Sequence, residues 1–94
     1  MFDTLVYHPD VRKKDIPSIN RNIRDRISHA IETRLTTDPQ RYGEPLRRTL
    51  KGYWKLRIGD YRVVFKVVKD EVWIFGIMHR REVYERIPRR LADQ

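Results

Sequence analysis

The chain has 94 residues, 39% of them hydrophobic, a formal net charge of +8 at pH 7 and a pI near 10.2, which fits one domain (1–94) with one thin core and an anionic partner: nucleic acid, anionic lipid or acidic protein. It has no cysteine, so disulfides, thiol catalysis and cysteine-type zinc sites are excluded, and its three histidines are scattered without a His-x-x-x-His pair. No metal or cofactor is expected, with only carboxylate-bound Mg2+ left open; no apolar run has the length of a membrane span, and Phe2–Tyr7, broken by Asp3, is too short for a signal peptide, so a cytoplasmic location is expected.

In chain order, Phe2–Tyr7 alternates imperfectly and reads as a short first strand, ended by His8-Pro9-Asp10. Pro9 and Asp10 suit the first turn of a short helix running to Lys14 or Asp15, with Pro17 interrupting it. Ile19, Ile23, Ile27, Ala30, Ile31 and Leu35 recur at helical spacing. Ser18 or Asn20 is the cap of this second helix, and it ends near Thr36, before Asp38-Pro39. Residues 37–52, with Pro39, Gly43, Pro45 and Gly52, read as a loop pinned to the core by Leu46 and Leu50.

Residues 53–66 read as two alternating strands joined by a Gly59-Asp60 turn. That pairing sets Ile58 against Tyr61, Leu56 against Val63 and Trp54 against Phe65 on an apolar face. Tyr53, Lys55, Arg57, Arg62 and Lys66 fall on the other face, with Arg57 across from Arg62. Like charges opposed in a sheet are destabilising, so the pattern suggests an anion site. Val67-Val68 extends the second strand, Lys69-Asp70-Glu71 turns it, and Val72–His79 is the last strand. Regular alternation places Trp73, Phe75, Ile77 and His79 on the face of Arg62, and Val72, Ile74, Gly76 and Met78 on the face of Phe65. Ile87-Pro88 stops any extended helix, leaving residues 85–94 as a basic tail.

The expected fold is α+β: a short N-terminal strand, two helices, then an antiparallel three-strand meander. The helices should pack on one sheet face, that of Trp54, Leu56 and Phe65, and leave the opposite face open and basic. Lys55, Arg57 and Arg62 converge there, His79 and Arg80 arrive from the next strand, and Tyr84 follows. Such fixed charge could hold a phosphodiester without a metal. Plain solvated charge is the bland alternative for Lys55, Arg57 and Lys66. Trp73 and Phe75 either stack bases or pack under the tail; His8 and His29 read as structural or surface residues.

Leu56-Arg57-x-Gly-Asp-Tyr61-Arg62-Val63-Val64-Phe65, Val72-Trp73-Ile74-Phe75 and His79-Arg80-Arg81-Glu82-Val83-Tyr84 resemble the RelE branch of the RelE/ParE toxin superfamily. Asp38-Pro39, Gly43, Leu46 and Leu50-Lys51-Gly52 are similar to the loop preceding its meander, so the resemblance runs from Tyr7 to Tyr84. It implies a toxin of a type II toxin–antitoxin pair that cleaves mRNA on the ribosome without a metal. Its partners would be ribosome, mRNA and a cognate antitoxin with an acidic or amphipathic segment, forming a hetero-oligomer and involving no membrane. By matched position, Arg62 stabilises the phosphate in the transition state, Tyr84 assists proton transfer, and Lys55 is an alternative base or charge stabiliser. Arg80, or its neighbour Arg81, supports the leaving group. Arg57, Lys51, Lys66, Arg81 and His79 complete the expected RNA-binding set. Tyr53 stands where the family often has a further lysine. The competing readings are a ParE-like DNA gyrase inhibitor without nuclease activity and a non-catalytic RNA-binding module.

Overall fold

Edge pairing organises the chain from its first described residue. The structure, a computed structural model, describes residues 4–47 and 50–92. Strand β1, Thr4–Tyr7, runs parallel to the strand formed by Glu71–His79, in register from Thr4↔Glu71 to Tyr7↔Ile74. Phe2 and Asp3 of the expected first strand lie outside the described residues. The expected short helix is wound differently from an α-helix: a π-helical turn, Val11–Asp15, runs into a 3-10 turn, Ile16–Ser18, with Pro17 near its start. Helix α1, Arg21–Ala30, is capped by Asn20, whose side-chain oxygen accepts from Asn22 N at 2.9 Å. Ser18 instead donates its hydroxyl to the Asp15 carbonyl at 2.7 Å. A second π-helical turn, Ile31–Leu35, ends this helical run. There the hydroxyls of Thr33, Thr36 and Thr37 donate to the carbonyls of His29, Glu32 and Thr33, and such back-bonding bends a helix end.

Apart from residues 48–49, which lie outside the described residues, the expected loop at residues 37–52 is more ordered than its prolines and glycines suggest. Pro39 starts a short helix, α2, Pro39–Tyr42, and Glu44–Pro45 forms β2. β2 pairs antiparallel with β3, Trp54–Ile58, through Glu44↔Lys55 and Pro45↔Trp54. With β4, Tyr61–Val68, and β5, Glu71–His79, this gives a five-stranded sheet in the order β1-β5-β4-β3-β2. Pro45 has no amide to donate, so it sits where proline belongs, on an edge strand.

The β3–β4 hairpin has the register read from the sequence: Trp54↔Phe65, Leu56↔Val63, Arg57↔Arg62 and Ile58↔Tyr61. Regular alternation fails once, in β5. Phe65 pairs with Ile74 but Val64 with Gly76, so Phe75 is a bulged extra residue. Beyond it every side chain changes face. Trp73 and Phe75 stay on the side of Arg62 as expected, but Gly76 and Met78 join them there, and Ile77 and His79 move to the Phe65 side.

Two cores result. Ile27, Ile31 and Leu35 of the helical face pack with Leu56, Phe65 and Ile77. On the other face Leu46, Leu50, Val64, Phe75 and Met78 pack with Val83 and Ile87. The second core corrects two expectations, helices on one face only and a basic tail at 85–94. Val83–Ala92 is a helix, α3, lying across the face of Arg62. Pro88, inside it, loses the bond its amide would have made to the Tyr84 carbonyl and crowds that carbonyl, at a cost of about 3 kcal/mol. Full burial of Val83 and Ile87 outweighs that loss, since each buried side chain of this size is worth about 1.5–3 kcal/mol. α3 lies close because β5 has glycine beneath it: a Cβ on Gly76 would come within 2.7 Å of Ile87 Cδ1. Among the described residues no helix is long and apolar enough to cross a membrane.

Candidate functional site

Arg62 is shaped by the hairpin that carries it. Gly59 takes φ +58° at the turn, a conformation glycine adopts at little cost. Arg62 folds back over this turn and donates from Nη1 to the carbonyls of Gly59 at 2.9 Å and Tyr61 at 2.8 Å. Its side chain is almost fully buried. Burial, followed by the positive charges of Arg57 and Arg80, holds its pKa below the ordinary arginine value. A guanidinium in that state is short of negative charge, and an anion would relieve it.

Arg80 is tied to the same turn from β5. Its amide donates to the Asp60 carbonyl at 2.8 Å and its Nε lies 3.9 Å from the Asp60 carboxylate. Arg57 reaches Glu44 of β2 at 4.0 Å, an exposed pair of little strength. Lys55 lies on the same face of β3 as Arg57, about 7 Å along the strand.

Tyr84, in the first turn of α3, stands over Lys55. Lys55 Nζ is 5.6 Å and Arg47 Cζ 5.1 Å from the centre of its ring. Its hydroxyl oxygen accepts from the Arg47 amide at 3.3 Å. Burial pushes the phenol up, but the hydrogen bonds from Arg47 and the charges of Lys55 and Arg47 outweigh it, leaving the pKa below that of a free tyrosine. The arrangement offers fixed positive charge for a phosphate beside a phenol eased toward its anion.

The structure therefore gathers Arg57, Arg62 and Arg80 at the hairpin end and sets Tyr84 against Lys55 on the same sheet face. It does not bring in the other four expected residues. The bulge turns His79 to the far face, where it meets Tyr61 edge-on at 5.9 Å. Arg81 is exposed, makes no ion pair among the described residues, and donates its amide to His79 Nδ1 at 3.2 Å. Of the two adjacent arginines, it is Arg80 whose charge acts on Arg62. Lys51 is exposed in the turn before Tyr53. Lys66 pairs with Trp73 at the other end of β4 and covers the Tyr53 ring at 5.1 Å. Tyr53 itself packs edge-on against Phe75 at 5.3 Å, a structural placement.

Sequence reading missed Arg47. It follows a two-residue strand whose pairing with β3 has no local pattern, so nothing in the chain announces that it meets Tyr84. Among the described residues no group of three or more His, Asp or Glu side chains is placed to hold a metal ion.

A five-stranded sheet backed by helices, with a cationic hairpin end and a tyrosine beside it, defines a small α+β protein of the RelE type. A family model described as the ParE toxin of type II toxin–antitoxin systems matches residues 5–84. The chain belongs to this family of type II toxin–antitoxin toxins, within the RelE/ParE superfamily. It is similar to toxin RelG of Mycobacterium tuberculosis, 37% identical over 54 residues, 55% of this chain and 62% of that protein. That match thus spans less than two thirds of the relative's length. Toxin RelE3 of Methanocaldococcus jannaschii is 27% identical over 78 residues, 80% of this chain and 89% of that protein. Among solved structures, the toxin–antitoxin complex RelBE2 of M. tuberculosis superposes with a TM-score of 0.75 at 28% identity, over 82% of this chain and 96% of that one.

Proposed function

We propose that this toxin is a ribosome-dependent mRNA endoribonuclease. The observation that carries the reading is Tyr84, held against Lys55 and Arg47 on the sheet face of Arg57 and Arg62, with its phenol eased toward the anion. A phenolate there takes the proton of an RNA 2′-hydroxyl. The 2′-oxygen attacks the adjacent phosphorus, the bond to the 5′-oxygen breaks, and that oxygen takes a proton from water. The products are a 2′,3′-cyclic phosphate and a free 5′-hydroxyl. Arg62 meets the negative charge that grows on the phosphate, and Lys55 holds the phenolate. Arg80, a very weak acid, supports charge on the leaving oxygen rather than supplying its proton. Arg57 binds the strand.

The partner is an antitoxin with an acidic amphipathic segment. A groove of about 620 Å3 on the helical side of the sheet has Ile19, Ile27 and Ile31 in its wall and Arg12, Arg21 and Arg24 around it. The guanidiniums of Arg12, Arg21 and Arg24 offer this groove the charge that carboxylates of such a segment would meet.

The family model's description favours a second reading, a ParE-like gyrase inhibitor. A translation extract with a defined mRNA, run beside a gyrase supercoiling assay, separates the two. Codon-phased cuts with unaffected supercoiling are expected; blocked supercoiling with intact mRNA would establish the second reading.

A further inference from the structure

Asp15 has no exposed surface, yet no step above uses it. Its position follows from an incomplete sheet edge. β1 covers β5 only as far as Ile74, so the Phe75 carbonyl and the Ile77 amide beyond it need other partners. Asp15 Oδ2 accepts from Ile77 N at 2.9 Å, and Arg90 Nη1 donates to Phe75 O at 2.9 Å. The two side chains then close on each other in a bidentate pair, at 2.7 Å to Oδ2 and 2.9 Å to Oδ1. Arg86 Nη2 adds a bond to Oδ1 at 3.1 Å. Around them, Asp10 lies 3.6 Å from Arg90 Nε and Glu82 lies 3.1 Å from Arg86 Nη1. One carboxylate thus joins the first π-helical turn, the uncovered edge of β5 and α3.

α3 is the helix that carries Tyr84. Arg86 and Arg90 are one turn apart and share a face, while Tyr84, two residues before Arg86, projects from the opposite side. The apolar seat of Val83 and Ile87 resists lifting of the helix but is non-directional, so it restrains roll and slide only loosely. A bidentate arginine–carboxylate pair is directional and restrains both.

We propose that Asp15 is a positioning residue for Tyr84: through Arg86 and Arg90 it sets the roll of α3 and so holds the phenol between Arg47 and Lys55. This rests on the reading of Tyr84 as the proton acceptor. The charged groups that face Tyr84 are Arg47, from the segment after β2, and Lys55, from β3.

The test uses the full chain labelled with 13C-tyrosine, titrated with pH by NMR, in the wild type and in Asp15→Asn. Because Asp15→Asn takes from Arg86 and Arg90 the anion they share, leaving them only Glu82 and Asp10, the milder Arg86→Gln is run beside it; Arg86 is only partly buried and the Arg90–Asp15 pair does not depend on it. Both variants are expected to shift the Tyr84 resonance and move its titration midpoint up toward that of free tyrosine, leaving the resonance of Tyr42, which lies in α2, in place. Cleavage kcat should fall by about 10-fold or more with KM nearly constant, as expected when a reacting group is misplaced by an ångström or less. An unchanged Tyr84 resonance and midpoint in Arg86→Gln and in folded Asp15→Asn, with only a lower melting temperature, would overturn the proposal. If the wild type cuts no mRNA the nuclease reading fails, while the Tyr84 titration still decides whether Asp15 places the phenol.

Discussion

A free tyrosine titrates near 10 and is a poor base at neutral pH. Tyr84 differs because burial, which would raise its pKa, is overcome by the Arg47 hydrogen bonds and the charges of Lys55 and Arg47. In the proposed mechanism the phenolate is the active form, so cleavage should speed up as pH rises and level off at a lower pH than a free phenol would give. Lys55→Met removes one of the lowering charges. Its alkaline limb should move to higher pH, with a rate at pH 7 reduced by about 10-fold or more, read from single-turnover cleavage across pH. Arg62 is held differently. Its Nη1 is committed to the carbonyls of Gly59 and Tyr61, so a phosphate must use the rest of the guanidinium. Lysine cannot serve the turn and a phosphate in that planar fashion. Arg62→Lys should therefore lose about 100-fold in cleavage, as removal of one oxyanion donor does. Lost turn bonds should also cost about 1–2 kcal/mol in urea unfolding.

The β3–β4 hairpin and its arginine pair were legible in the chain because a Gly-Asp turn between alternating strands admits one pairing. The elements around it were hidden for separate reasons. β2 is two residues long and contains a proline. The β5 bulge leaves no local mark except Gly76, and it alone moved His79 off the site face and brought Met78 onto it. Pro88 read as a stop, although the four-residue spacing of Val83, Ile87 and Leu91 was present and the helix continues through it. Asp15 looks like any polar residue of a short helix; only the uncovered edge of β5 gives it a role. Lys55, Arg57, Arg62, Arg80 and Tyr84 could be found from motif and alternation, whereas Arg47 depends on tertiary pairing. Gly76 makes the seating of α3 testable. A side chain there meets Met78 Cε at 2.6 Å and Ile87 Cδ1 at 2.7 Å, both in the buried second core. Gly76→Val should destabilise the fold by about 1–3 kcal/mol and slow cleavage by unseating Tyr84; thermal unfolding and the cleavage rate check both.

At the scale of the whole molecule, the net charge of +8 is shared between two faces of the sheet. Arg57, Arg62 and Arg80 serve the Tyr84 face, and Arg12, Arg21 and Arg24 surround the groove on the helical side. Binding to ribosome-held mRNA should weaken steeply with salt, by about 5-fold per decade of salt concentration for each phosphate neutralised. Arg21→Glu combined with Arg24→Glu should weaken an acidic antitoxin segment at least about 10-fold, measured by calorimetry, because each reversal sets like charges against each other. mRNA cleavage by the same variant should stay near wild type, since neither residue touches the Tyr84 cluster. The most direct measurement takes ribosomes loaded with one mRNA, wild-type protein and Tyr84→Phe, and maps both the cut positions and the chemistry of the new ends. The expected result is cutting within the A-site codon that leaves a 2′,3′-cyclic phosphate and a 5′-hydroxyl, lost by about 100-fold or more in a folded Tyr84→Phe. Intact mRNA with the wild type, or undiminished cutting by Tyr84→Phe, would contradict it.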